Sequence, residues 1–385
     1  MMVSSFTTPT KIISGVDSRK TLGKEVRKLG GNVVFVCTDR GIINTGLLVD
    51  ILDSLSKENL AYVIYEEVES NPSIETVESG LNIYRNEQCD VLVAVGGGSV
   101  IDTAKAICGL VNKPALSDFC QGIEERHRVG SCSSVIAVPT AAGTGSEVLG
   151  GAIIADKQKN CKICMISPWQ APSVAILDPI MLQTLPANIA AATGMVTLTH
   201  AIEGYVSLGA SMLTDLLNLR AIQLVAKYLR RFIANRKDLE AGVGMQNACL
   251  FSAMGSYNSG LGNVYAMANS LLGHYNIHHG VACAVMLPAV MKFNSMASPE
   301  KFIEIAKSFG EPVDKLPMHE ASLRAVHAVK SLAQSIGIPE RLRDVGITTD
   351  QIEQMALQVT KSEIQATNPR ETNLQDVMML YRESI

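Results

Sequence analysis

The residues of this chain best suited to chemistry fall in three places. Gly96-Gly-Gly-Ser-Val-Ile-Asp102 sets three consecutive glycines, Gly96, Gly97 and Gly98, between an apolar run and a helical pattern. Without Cβ atoms the backbone can approach an anion closely, and the first amides of the next helix meet it with the positive end of the dipole. Ser99 and Asp102 have capping-box spacing, which would fix where that helix begins. The plain alternative is a tight turn that binds nothing, although three glycines exceed what a turn needs. Pro139-Thr-Ala-Ala-Gly-Thr-Gly-Ser-Glu147 follows a second apolar run and offers amides together with the hydroxyls of Thr140, Thr144 and Ser146. The two loops together make a pyrophosphate cradle, although GxGxxG is absent. Asp39 closes an earlier apolar run. A carboxylate there accepts from ribose hydroxyls and repels a 2′-phosphate, which points to NAD over NADP; its plain alternative is a helix or turn cap. The third place holds His200, Glu203, Tyr265, His274, His278 and His279. Position 196 and His200 are four apart on one predicted helix and project from one face. In hydride transfer a carbonyl oxygen must be polarised and given a proton. Tyr265 is the favoured donor, with His200 and His279 as further donors to a developing alkoxide. The alternative is that Tyr265 simply fills space.

The elements that must position these residues alternate over the first half of the chain. Val33–Cys37, Ala61–Tyr65, Asp90–Val95 and Ser134–Val138 read as strands. The segments 45–58, 73–86 and 101–111 read as helices between them. That rhythm predicts a parallel sheet with helices on both faces, with ligands at the carboxyl ends of its strands. Residues 6–16 read as an extended arm. After Pro186 nearly everything is helix-like, including 214–233, 239–257, 300–309, 320–336, 349–360 and 374–384. The expected architecture is an α/β Rossmann-like domain over 1–185 and an all-α domain over 186–385.

Composition narrows the classes. The chain has 385 residues, 47% hydrophobic and 18% charged, with a formal net charge of −4. Two domains are the natural expectation at this length. The charge gives no reason to expect nucleic acid or an anionic membrane as partner. No run of 18 apolar residues occurs and no signal core is evident, so the cytoplasm is the expected location. Nine cysteines, an odd number scattered through apolar surroundings, fit reduced thiols. Cys161-Lys-Ile-Cys164 has no second ligand pair and reads as ordinary strand or loop cysteines.

Several motifs resemble the iron-containing (group III) alcohol dehydrogenase family. They are GGGSVIDTAK through Lys105, PTAAGTGSE, the Leu177–Pro179 LDP, the Thr184–Pro186 TLP, TGMxxxxHAIE around His200, HHG at His278–Gly280 and NPR at Asn368–Arg370. The family patterns read TGxDAxxHAxE, GxxHxxAH and PHG, and they supply an Asp-His-His-His metal site. His200 and His279 match two of the four ligands, while Val196 and Tyr265 stand at the other two. The resemblance implies a dehydroquinate synthase-like fold with an active-site cleft between an α/β and an all-helical domain. It implies NAD(H) bound through Asp39, Asn71, Gly96, Gly97, Gly98, Ser99, Asp102, Thr140, Ala141, Thr144 and Ser146, where Ala141 replaces a Thr. It places Lys162 near the nicotinamide pocket. It also implies small aldehydes and primary alcohols as substrates and a cytoplasmic homo-oligomer. Two neutral imidazoles and a phenol are too few and too weakly charged for tight binding of Fe²⁺ or Zn²⁺; His274, His278 or Glu203 swinging in would restore the set. Three readings follow: an NAD(H)-dependent aldehyde/alcohol oxidoreductase with weak or no metal, a catalytically silent dinucleotide binder acting through assembly, and a metal-free reductase of a more anionic carbonyl.

Overall fold

The computed structural model describes residues 5–111, 134–158, 161–275 and 277–385. The chain forms two compact units, one from Thr8–Ala141 and Gly145–Leu185, the other chiefly from Pro186–Ile385 with Ala142–Thr144.

The first unit is built on a six-stranded parallel sheet. Its strands are β1 (Lys11–Ser14), β2 (Val33–Cys37), β3 (Ala61–Tyr65), β4 (Val91–Gly96), β5 (Ser134–Pro139) and β8 (Val174–Leu177), in the order β1-β8-β5-β4-β2-β3. A separate antiparallel pair comprises β6 (Gly151–Asp156) and β7 (Cys161–Ile166). The continuous apolar runs reflect burial on both faces. Side chains alternate along a strand, so Phe35, Leu92, Ala94 and Ala137 pack on the face covered by α4 (Ile74–Asn86) and α5 (Gly98–Leu110). Val34, Val36, Val93 and Ile136 pack on the other, under α1 (Leu22–Lys28) and α3 (Leu48–Lys57).

Three sequence expectations change. The helix expected over 45–58 is α3, which begins only at Leu48, and an unexpected short helix, α2 (Arg40–Asn44), precedes it; between them lies Gly46 at φ 75°, a conformation that ends helices. The extended arm is a strand, since Lys11–Ser14 pairs with Val174–Leu177. Cys37, Cys89, Cys164, Cys249 and Cys283 are free thiols, but Cys108 is disulfide-bonded, so the all-reduced expectation fails there. Cys120 and Cys132 lie outside the described residues.

The second unit is helical: α6 (Ala187–Val206), α7 (Met212–Ala234), α8 (Leu239–Ser259), α9 (Asn263–His274), α10 (His279–Asn294), α11 (Pro299–Ser308), α12 (Met318–Ser335), α13 (Ile352–Thr360) and α14 (Leu374–Ser384). The first three pack closely because Gly204 and Gly255 lie against Asn218; a Cβ at 255 would sit 2.3 Å from Asn218 Oδ1. Ser211 and Thr214 form a capping box that starts α7. The NPR segment ties the C-terminal region down. Asn368 exchanges two 2.9 Å hydrogen bonds with Asn294, and Arg370 stacks 3.8 Å from the Phe293 ring centroid. No described helix is long and apolar enough to cross a membrane.

Candidate functional sites

In the α/β unit the chain passes from β2 to the sheet edge at β3 and returns to β4 on the other side of β2. That reversal opens a crevice outside the carboxyl ends of β2 and β4, the usual ligand position in such sheets. Asp39 lies just past the end of β2, and Gly96–Gly98 run from the end of β4 into α5. Thr38 Oγ1 donates to the Val95 carbonyl at 2.8 Å, and the Thr140 amide donates to the Gly96 carbonyl at 3.0 Å. The bends after three adjacent strands are therefore hydrogen-bonded side by side. The glycines differ in purpose. A Cβ on Gly96 would meet Val100 at 2.5 Å, whereas one on Gly97 would point into open space. Gly97, Gly98 and Ser99 are partly exposed, so an anion can reach their amides.

Several side chains expected to face a ligand are held by the protein itself. Helix α5 starts at Gly98 with Gly97 as its N-cap and no side-chain cap, so the Ser99–Asp102 capping box does not form. The Ser99 hydroxyl donates to the Ser70 carbonyl at 2.8 Å and ties down the turn bearing the exposed Asn71. Asp39 Oδ1 accepts the Ile42 amide at 2.9 Å, which starts α2. Asp102 accepts from the Ser146 hydroxyl and from the Ile153 amide, and it pairs with Lys105 at 3.1 Å. Asp102 and Ser146 thus shape the loops. Thr140 is buried, while Ala141 and Thr144 are partly exposed. Lys162 and Cys164 share one face of β7. Burial pulls the Lys162 ammonium below its ordinary pKa, opposed by Cys164 and Asp102.

The second candidate site lies wholly in the helical unit. His200 projects from α6, Tyr265 from the first turn of α9, and His279 opens α10. Tyr265 lies edge-on to both imidazoles, with ring centroids 5.2 Å from His200 and 5.3 Å from His279. His200 is buried, which lowers its pKa to about 4 and keeps the ring neutral. Its Nε2 is buried without a hydrogen-bond partner among the described residues. His279 Nε2 is 3.4 Å from Cys283 Sγ, one turn along α10. Burial keeps that thiol protonated, pushing its pKa well above the usual range. Sequence reasoning missed Cys283, although its spacing of four from His279 was visible.

Glu203, one turn past His200, is committed elsewhere. Its carboxylate accepts the Val264 amide at 2.6 Å and the Tyr265 amide at 3.2 Å, capping the start of α9. Burial raises its pKa to about 7, against the lowering effect of the Val264, Gly262 and Tyr265 amides. His278 Nδ1 accepts the Gly280 amide at 3.1 Å and caps α10, and His274 contacts Gln358 at 3.3 Å. None of these three has swung in beside His200. Among the described residues, no three or more His, Cys, Asp or Glu side chains gather where they could hold a metal ion. Val196 has no lone pair, the Tyr265 ring packs against both imidazoles, the Glu203 carboxylate accepts the α9 amides, and His279 Nε2 lies against a thiol. Of these side chains, His200 presents a buried nitrogen, Nε2, with no partner among the described residues, and a catalytic zinc normally takes three protein ligands.

Residues 142–144 of the second loop pack with this helical unit. Thr197 Oγ1 donates to the Gly143 carbonyl at 3.0 Å, and a Cβ on Gly143 would meet Thr193 Cβ at 2.9 Å.

Comparison with known proteins agrees along the whole chain. Residues 9–179 match the family described as iron-containing alcohol dehydrogenase, and residues 190–385 match the Fe-containing alcohol dehydrogenase family, C-terminal. The chain is 38% identical over 362 residues to lactaldehyde reductase of Escherichia coli (strain K12), covering 94% of each protein. It is 33% identical over 386 residues to the NAD-dependent methanol dehydrogenase of Bacillus methanolicus, covering 100% of each. Among solved structures it resembles a 1,3-propanediol oxidoreductase with a TM-score of 0.96, 35% identity and full coverage of both chains.

Proposed function

The chain belongs to the iron-containing alcohol dehydrogenase family, and from that premise we propose that this alcohol dehydrogenase-like enzyme interconverts a small aldehyde and its primary alcohol with NAD(H), without a divalent metal at the helical site. The observation that carries the metal-free reading is the Tyr265 ring, edge-on to both His200 and His279 where a cation would need open donors. Relatives support the rest by name, one as a lactaldehyde reductase and another as an NAD-dependent methanol dehydrogenase.

In this reading the pyrophosphate rests on the amides of Gly97, Gly98 and Ser99 and on the loop bearing Thr140, Ala141 and Thr144. Asp39 keeps one carboxylate oxygen for the ribose, which favours NAD(H) over its 2′-phosphate. Asn71 and Lys162 line the cofactor's approach. NADH supplies hydride to the carbonyl carbon. The protein's part is to polarise the carbonyl oxygen and give it a proton. Tyr265 does this as a neutral phenol. His200, neutral throughout the physiological range, donates a hydrogen bond through its unpartnered Nε2. His279, partly exposed, lies against the same ring; it takes a proton from water and passes it to the phenolate left after transfer, returning to the neutral imidazole. The enzyme works in the cytoplasm as a homo-oligomer.

The test combines calorimetry with NADH and NADH oxidation over a panel of propionaldehyde, lactaldehyde and formaldehyde, with and without EDTA. Turnover that survives EDTA and is not raised by Fe²⁺ or Zn²⁺ is expected. Turnover that requires added metal rejects the metal-free mechanism. NADH binding without any aldehyde turnover favours the second reading, a silent dinucleotide binder, for which the two replaced ligand positions are the motive.

A further inference from the structure

Lys105 is the largest charged side chain with no solvent exposure in the molecule's described part. It projects from α5, two turns beyond the glycine bend. Its Nζ lies 3.1 Å from the Ser146 carbonyl, 2.5 Å from Ser146 Oγ, 3.3 Å from the Leu149 carbonyl and 3.1 Å from Asp102 Oδ1, and it also donates to the Gly151 carbonyl. An ammonium has three N–H groups, so five surrounding oxygens form a shell like that of a bound cation. Asp102 extends the same knot to the Ile153 amide at 3.1 Å. The segment so fastened, 146–153, is irregular until β6 begins. It starts after Gly145 at φ 71° and includes only a one-turn 3-10 helix. Few ladder bonds hold it, and this knot supplies what the ladder does not.

Burying an ammonium is unfavourable before its contacts are counted, and a methionine of similar length would fill the same space. The charge therefore needs a reason. We propose that Lys105 is a positioning residue for the dinucleotide: its buried ammonium locks the 146–153 segment to α5, making the two glycine-bearing loops one rigid cradle, and it neutralises Asp102 so that an approaching pyrophosphate meets no net negative charge. This rests on reading those loops as the dinucleotide site.

The test uses the full chain with Lys105→Met and, so that the partly buried Asp102 carboxylate is not left without its counter-charge, the double variant Asp102→Asn/Lys105→Met. NADH affinity is measured by calorimetry, and melting is followed with and without NADH. If the loop adopts the cradle geometry one time in ten without its ammonium, the NADH dissociation constant rises about tenfold. The expected result is that rise in both variants, a smaller NADH-induced shift in melting temperature, and kcat with propionaldehyde at saturating NADH within about threefold of the parent. Should the single variant not fold, the double variant carries the test. Parent protein that gives no heat with NADH rejects the dinucleotide reading itself. A parent that binds NADH while a folded variant binds it within twofold overturns the role of Lys105. So does a variant that loses kcat at saturating NADH as severely as affinity, because that pattern marks general damage.

Discussion

Two buried groups one turn apart on α6 should make stability depend on pH in opposite directions. His200 falls from its ordinary 6.5 to about 4 on burial, and Glu203 rises from its ordinary 4.5 to about 7. For His200 the unfolded chain binds the extra proton between pH 4 and 6.5, so its contribution is full above 6.5 and lost as pH falls towards 4. For Glu203 the folded chain binds the extra proton between 4.5 and 7, so its contribution is full below 4.5 and lost as pH rises through 7. Each shift of about 2.5 pH units corresponds to about 3 kcal/mol at 1.36 kcal/mol per unit. In the parent the two slopes largely cancel. Glu203→Gln removes one of them. Its stability relative to the parent should therefore rise by about 3 kcal/mol between pH 4.5 and 7. Its absolute stability drops by about 1–3 kcal/mol, because an amide N–H₂ faces the α9 amides in place of an acceptor; only the slope of the difference matters. Urea melts at half-unit pH steps in EDTA, followed by far-ultraviolet circular dichroism, measure it. The single tryptophan, Trp169, is 72% exposed and is a poor reporter. A difference curve flat within about 1 kcal/mol across the window would refute the reasoning.

Tyr265→Phe keeps the ring packed against both imidazoles and removes the hydroxyl; kcat for aldehyde reduction should fall about 100-fold or more, with the melting temperature within a degree or two, and retained turnover would assign the ring to packing alone. Gly97→Ala should leave melting unchanged and weaken NADH binding, whereas Gly96→Ala should lower the melting temperature because its Cβ meets Val100 at 2.5 Å; melting curves and NADH titration of the pair separate backbone access from packing. Val196→Asp with Tyr265→His should create affinity for Fe²⁺ or Zn²⁺, read by metal analysis after dialysis. No gain in bound metal would mean that more than those two side chains excludes it.

Much of the architecture was legible because burial on both faces writes itself into strands such as Val33–Cys37, and one-sided apolar periodicity marks helices such as α7 and α14. Other features depend on partners distant in sequence. β1 is a strand only because β8 lies beside it, and nothing within residues 11–14 announces that pairing. The sequence pattern starts α5 at 101, three residues late, because glycines weigh against a helix locally, although here Gly97 caps it and Gly98 opens its first turn. At the sites, residue types were informative and their uses less so. Asp102 and Ser146 look like ligand contacts in sequence, yet they bond to each other. Glu203 looks like a spare ligand, yet it satisfies the amides that begin α9. In each case a nearby backbone donor competes for the same oxygen, and single-sequence spacing does not reveal it.

The tripeptide Ala142–Thr144 has a consequence for how this fold can be cut or recombined. It belongs by packing to the helices, although in sequence it sits more than forty residues upstream of them. A fragment beginning at Pro186 would leave the wholly buried Thr197 hydroxyl without its Gly143 acceptor and open a notch beside Thr193. Exchange of C-terminal halves between relatives would therefore succeed only when the donor's 142–144 equivalent travels with its own helix, so recombination breakpoints at the sheet–helix junction should be disfavoured unless both parents agree at that short insert.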